Sequence, residues 1–151
     1  MSQIFRPESS KAFAVKKIVA ILVLLAVPGC TSSAQPTKTI GITIDDVLNQ
    51  KVITRDITLA VGDKLEVSLG ANHTTPYKWT AETQIGDPSI VQQTSHEFVA
   101  PNPPPGVVGT SGTEVWTFKA LKAGTTTIAT EYTMSTDPTP ASTFTANVKV
   151  H

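Results

Sequence analysis

Residues 57–79 read ITLAVGDKLEVSLGANHTTPYKW, and the alternation within this stretch decides the fold class. Ile57, Leu59 and Val61 fall on one side of an extended chain, and Leu65, Val67 and Leu69 do the same after Gly62-Asp63. A period of two places every second side chain on one face, the pattern of a strand buried on that face alone. Gly62-Asp63 is short enough to predict a tight hairpin between the two runs. Working outward, the period recurs in Ile40, Ile42 and Ile44 and in Trp116, Phe118 and Ala120. It returns after an Ala123-Gly124 turn in Ile128, Thr130 and Tyr132, and again in Phe144, Ala146, Val148 and Val150. No stretch past the first thirty residues keeps a helical period for ten residues, and the abundant threonine suits half-buried strands. The expectation is an all-β domain, an antiparallel sandwich of about seven strands.

Two segments interrupt the alternation. Pro101 to Glu114, PNPPPGVVGTSGTE, combines four prolines with three glycines, and Ser135 to Ser142 reads STDPTPAS. Proline supplies no ladder donor and glycine serves where φ must be positive or backbones approach closely, so both segments are predicted loops. Trp79 and Trp116 read as core residues of the sandwich. Asp45 and Asp46 are neighbours that a strand would send to opposite faces, which predicts solvation or a turn rather than a carboxylate pair.

The first thirty residues have a different character. Arg6, Lys11, Lys16 and Lys17 precede an uncharged apolar run from Ile18 to Val27, followed by Pro28, Gly29 and the only cysteine, Cys30. A basic head, a short apolar run and a small residue describe an export signal, and the run is too short for a comfortable membrane span. The stretch LLAVPGC resembles the lipobox of bacterial lipoproteins, which implies an acylated Cys30 as the first mature residue. The expected organisation is a signal peptide over 1–29, a lipidated cysteine and flexible tether over 30–39, and the β-domain over 40–151. Each buried methylene of an acyl chain contributes about 0.8 kcal/mol, so several chains would hold the protein on a membrane. The expected location is the cell envelope, on its periplasmic or extracellular face.

Past Cys30, eight basic residues stand against eleven acidic ones, a net charge of −3, with no basic stripe. A nucleic-acid partner therefore has no electrostatic support. A single cysteine excludes an internal disulfide. About 110 residues suffice for one domain with its own core, expected to be a monomer. His73, His96 and His151 lack the spacing of zinc ligands, and no metal or cofactor is expected. Catalysis finds no foothold either. There is no Cys-His pair once Cys30 is acylated, no Gly-x-Ser-x-Gly elbow and no phosphate-cradling loop before a helix.

The order and spacing of several stretches resemble the chagasin family of cysteine-peptidase inhibitors. ITLAVGDKLEVSLGANHTTPYKW is similar to the family's opening hairpin and first recognition loop, Asn-Pro-Thr-Thr-Gly-aromatic with a tryptophan two residues later. VVGTSGTEVWTFKALKAGTTTIATEY is similar to its Gly-x-x-Gly loop, the following strand, the Ala-Gly turn and the strand ending in tyrosine. The resemblance spans roughly Ile57 to Val150. It implies an immunoglobulin-like β-sandwich with three recognition loops at one end. It also implies a papain-like cysteine peptidase as partner, its cleft filled by the first loop and gripped by the other two. Such an inhibitor blocks sterically and needs no nucleophile of its own, while the enzyme's thiolate and imidazole find no peptide bond to attack.

Carried over residue by residue, the first loop comprises Asn72, His73, Thr74, Thr75, Pro76 and Tyr77, with His73 in place of proline and Pro76 in place of glycine. Pro76 fixes its own φ and biases Thr75 toward extended geometry, which predicts a differently shaped loop. The second comprises Gly109, Thr110, Ser111 and Gly112, whose glycines would let the backbone bond an extended partner. The third is the segment Met134, Ser135 and Thr136 to Asp137, where Tyr132-Thr133-Met134-Ser135-Thr136 replaces the family's Tyr-x-Arg-Pro-Trp. Arginine and tryptophan are common interface hot spots, so their absence predicts a grip weaker by roughly 10³-fold. On the residues alone, Thr74 and Thr75 either touch a partner or satisfy local backbone donors, and the imidazole of His73 either meets a partner or is solvated. The alternative to an inhibitor is a non-inhibitory binding or structural module of the cell envelope on the same scaffold.

Overall fold

In the computed structural model, which describes residues 34–151, the alternating runs become strands. Among the described residues the chain forms β1 (Thr37–Ile42), α1 (Ile44–Asn49), β2 (Val52–Leu59), β3 (Lys64–Ala71), β4 (Tyr77–Trp79), β5 (Gln84–Ile85), β6 (Val91–Val99), β7 (Gly112–Ala120), β8 (Gly124–Met134) and β9 (Asp137–Val150). Two sheets result, ordered β1-β3-β7-β6 and β2-β9-β8-β4, with β5 also on β8. β1 begins within the stretch expected to be tether. The predicted signal and Cys30 lie outside the described residues.

The two sheets face each other across one core. Leu65, Val67 and Leu69 of β3 and Trp116, Phe118 and Ala120 of β7 are buried from one sheet. Ile53 and Leu59 of β2, Ile128 of β8 and Phe144, Ala146, Val148 and Val150 of β9 are buried from the other. Each large apolar side chain hidden in this way stabilises the fold by about 1.5–3 kcal/mol. Trp79 and Trp116 both belong to this core, and their indole N–H groups donate to Gly70 O (3.0 Å) and Ala81 O (2.8 Å). The described residues form one unit around it.

The all-β sandwich stands as expected, with amendments in its pairing. β1 pairs with β3 and β2 with β9 in parallel, so both sheets are mixed. Gly62-Asp63 closes no hairpin, because β2 and β3 lie in different sheets. Instead Asp63 N–H donates to Ala60 O (3.0 Å), and Gly62 takes φ +93°, which a type II turn requires at its third residue. The turn is held against other strands, with Gly62 N–H on Ala120 O (2.8 Å) and Val61 N–H on His151 O (3.1 Å). Alternation specifies which face is buried; it is equally satisfied by two strands of one sheet or of two facing sheets.

Two further expectations are corrected. Ser135–Ser142 is not a loop: Ser135-Thr136 alone turns the chain, and β9 runs from Asp137. Pro138 and Pro140 fit because β2 joins β9 only from Thr143 onward and the β8 ladder slips between Tyr132 and Met134, so no ladder donor is asked of them. Ile44 belongs to a helix rather than to the first strand. Thr43 caps it, its hydroxyl oxygen accepting from Asp46 N–H (3.2 Å) while its O–H donates to Asp46 Oδ2 (2.7 Å). Asp45 and Asp46 thus occupy a helical first turn, where negative charge is favourable.

Candidate functional site

Four chain segments converge at one end of the sandwich. β3 ends at Ala71 opposite Gly112, where β7 begins; β6 ends nearby, Val99 opposite Thr113. In the facing sheet Tyr77 of β4 pairs with Met134, the last residue of β8, which pairs in turn with Asp137 of β9. The two sheets are joined here by Asn72 N–H, which reaches the Tyr132 hydroxyl across the interface (3.4 Å). The three sequence-predicted segments are therefore neighbours, and α1 flanks them.

Asn72 organises the first segment. Its Oδ1 accepts from Thr74 N–H (3.0 Å) and from the Thr74 hydroxyl (2.6 Å), and its carbonyl accepts from Thr75 N–H (3.1 Å) and the Thr75 hydroxyl (2.7 Å). The first pair is an Asx-turn and the second a β-turn with His73 at its second position, both favoured by asparagine. Thr75 Oγ1 also accepts from Tyr77 N–H (3.4 Å). Both threonine hydroxyls thus serve the loop's own shape. Thr74 and Pro76 are exposed, whereas Asn72, Thr75 and Tyr77 are half-buried.

His73 turns back onto the sandwich. Its Nε2 lies 2.6 Å from Glu114 Oε1, and its ring stacks on Phe98 with centroids 3.6 Å apart and planes within 8°. Glu114, 3 % exposed, holds His96 Nε2 by its other oxygen at 2.6 Å, and His96 stacks on Trp116 (4.9 Å). An ionised carboxylate only accepts, so each ring presents an Nε2–H to it. Burying a carboxylate is tolerable only when its oxygens are paired, and here both are. Glu114 closes the segment predicted as loop, yet it lies in β7 on the same face as Trp116 and Phe118.

The second segment reaches the first through Asn72 Nδ2, which donates to Gly109 O (3.3 Å). Gly109 has φ +76° and open space where a Cβ would stand. Gly112 has a packing reason instead: a Cβ there would lie 2.5 Å from Phe98 Cζ and 2.6 Å from Val99 O. Beside Gly109, Val108 is 92 % exposed, while Thr110 Oγ1 is buried without a hydrogen-bond partner among the described residues. In the third segment Ser135 and Thr136 are exposed, and Met134 is half-buried. Thr139 N–H donates to Asp137 Oδ1 (2.9 Å) and holds that carboxyl below its ordinary range.

Sequence reasoning missed α1. Between it and the first segment lies a cleft of about 460 Å³, walled by Ile44, Leu48, Pro76, Tyr77 and Tyr132. Thr43-x-x-Asp46 was the signal for it, a hydroxyl cap followed three residues later by a carboxylate. Among the described residues no three His, Cys, Asp or Glu side chains are arranged to hold a metal ion.

The sandwich thus carries the three segments side by side at one end. Residues 58–148 match the sequence model of the chagasin family peptidase inhibitor I42. The chain belongs to the chagasin family, whose members are protease inhibitors and not enzymes. Among solved structures it is similar to the cysteine protease inhibitor EhICP2 from Entamoeba histolytica, at 21% identity and a TM-score of 0.55 over 74% of this chain and 96% of that one. The solution structure of amebosin is similar at 26% identity and a TM-score of 0.51, over 78% and 99% of the two chains. PbICP-C, solved in complex with falcipain-2, is similar at 18% identity and a TM-score of 0.58, over 77% and 99%. No curated protein sequence matches the chain.

Proposed function

We propose that this protein is an exported, lipid-anchored inhibitor of papain-like cysteine peptidases that fills the enzyme's cleft with the Asn72–Tyr77 loop, flanked by Gly109–Gly112 and by Met134–Asp137. The observation that carries the reading is the Asn72 hub. One side chain and one carbonyl hold four donors of the threonine pair and a fifth bond ties the loop to Gly109. A loop ordered before binding loses little further freedom on entering a cleft, which is how a small edge gains affinity. EhICP2 and PbICP-C, a cysteine protease inhibitor and a protein solved with falcipain-2, share the scaffold and support the assignment. Blocking is steric: the loop occupies the space of a substrate and presents no peptide bond in attackable geometry.

The chain from Thr31 onward, titrated into papain or a cathepsin-type enzyme, should lower the hydrolysis rate at sub-micromolar concentration. No inhibition at micromolar protein removes the inhibitor reading. Thr74→Arg should abolish inhibition while leaving the melting temperature in place, and an unchanged inhibition constant would take the first loop out of the mechanism. A second reading, a binding or structural module of the cell envelope, is favoured by the β8–β9 turn. Ser135 and Thr136 give that corner two small polar side chains and no aromatic or guanidinium anchor.

A further inference from the structure

We infer that His73 is a positioning residue, a side-chain latch that stiffens the Asn72–Pro76 loop before any partner arrives. The inference rests on the inhibitor reading for its consequence in binding, but the latch itself is a property of the free protein. Two side chains leave the loop: Asn72 Nδ2 reaches the carbonyl of Gly109, and His73 reaches the strands themselves. Thr74 and Thr75 bond to Asn72, whereas His73 bonds to Glu114 of β7 and stacks on Phe98 of β6. Phe98 and Glu114 are register partners, so the ring is clasped by two side chains held on adjacent strands.

The anchor is rigid for three reasons. Glu114 is buried, and its second oxygen is fixed by His96, itself stacked on Trp116 of the core. Phe98 packs where Gly112 has no side chain, so the end of the second loop and the seat of the latch are one contact. A ring stacked within 8° and bonded by Nε2 also has both of its side-chain torsions fixed. The tip of the β-turn that links the two sheets is thereby tied to β6 and β7 as well as to Asn72.

The test exploits a feature of the backbone. His73 N–H makes no hydrogen bond among the described residues, and the second position of a β-turn accepts proline, which fixes φ by its ring. His73→Ala and His73→Pro therefore remove the same partner from Glu114 and do the same damage to the fold, yet only alanine loosens the loop. In the chain from Thr31 onward, backbone order parameters at Thr74 and Thr75 should be about 0.85 in the wild type and fall below about 0.6 in His73→Ala. His73→Pro should restore them. Peptidase inhibition should weaken about tenfold or more in His73→Ala and return to within about threefold of wild type in His73→Pro.

Three results overturn the latch: wild-type order parameters already below about 0.6 at Thr74 and Thr75, which needs no variant; no loosening in His73→Ala; or equal loss of inhibition in both variants with the loop ordered in both, which assigns His73 to direct contact. A wild type that inhibits no peptidase sinks the inhibitor reading instead, and the order parameters still decide the latch.

Discussion

At the scale of single residues, the loop end carries both satisfied and unsatisfied groups, and each predicts a response. The Thr110 hydroxyl is buried without a partner among the described residues, so Thr110→Val, which keeps the shape and removes the orphan, should stabilise by about 1 kcal/mol. Calorimetry should show the melting temperature rising by about 4 °C, and a fall would reveal a partner for the hydroxyl. Gly112→Ala should act the other way. Its Cβ would meet Phe98 and, 2.6 Å away, the carbonyl oxygen of Val99, which is backbone and cannot swing aside. A loss of about 1–3 kcal/mol in urea unfolding is expected, as for other overpacked sites. Glu114 shows where residue-level reading fell short. The alternation Trp116, Phe118, Ala120, continued backward, lands on Glu114 and Gly112, and a charge at a core-facing position is the informative exception. Its partners, His73 and His96, are 41 and 18 residues away, and no spacing rule joins them.

Among the elements, α1 is the one that pattern reading passed over, because six residues are too few for a helical period and Ile40, Ile42 and Ile44 continue the strand's. Its cap is its weak point. Thr43→Ala should destabilise the domain by about 1 kcal/mol, since the hydroxyl both caps Asp46 N–H and donates to the Asp46 carboxylate. That donated bond is the main reason Asp46 sits below the ordinary carboxylate range. A lowered value in the fold means stability that is present above the unfolded carboxylate's pKa and lost as pH falls through the folded one. The gap between wild type and Thr43→Ala should therefore hold at neutral pH and narrow below about pH 4. A gap that stays constant to lower pH would separate the cap from the carboxylate. The Ser135–Ser142 segment teaches the reverse lesson: two prolines read as loop residues, yet they sit in β9 where neither neighbouring strand requires their missing donors.

For the whole molecule, the proposed anchor is tested apart from the sandwich. Cys30→Ser should move the protein from the membrane fraction to the soluble one, and persistence with the membranes would remove the lipoprotein reading. No helix among the described residues is long and apolar enough to cross a membrane, so the sandwich itself contributes no helical span. Within the sandwich, the sequence by itself determined that the domain is all-β, most of the residues that form the core and the turn at Gly62-Asp63. Those properties follow from local period and from glycine and proline chemistry, which act over a few residues. It also carried the resemblance to the chagasin family that the family model matches over residues 58–148. Only the tertiary structure decided which strands are neighbours, that Gly62 turns the chain from one sheet to the other, that β1 pairs with β3 and β2 with β9 in parallel, and that a histidine at a loop tip reaches a buried carboxylate. The physical reason is that alternation specifies a face without naming a partner. Partners are chosen by long-range backbone bonds such as Gly62 to Ala120 and by the need of a buried Glu114 for donors wherever the folded chain brings them.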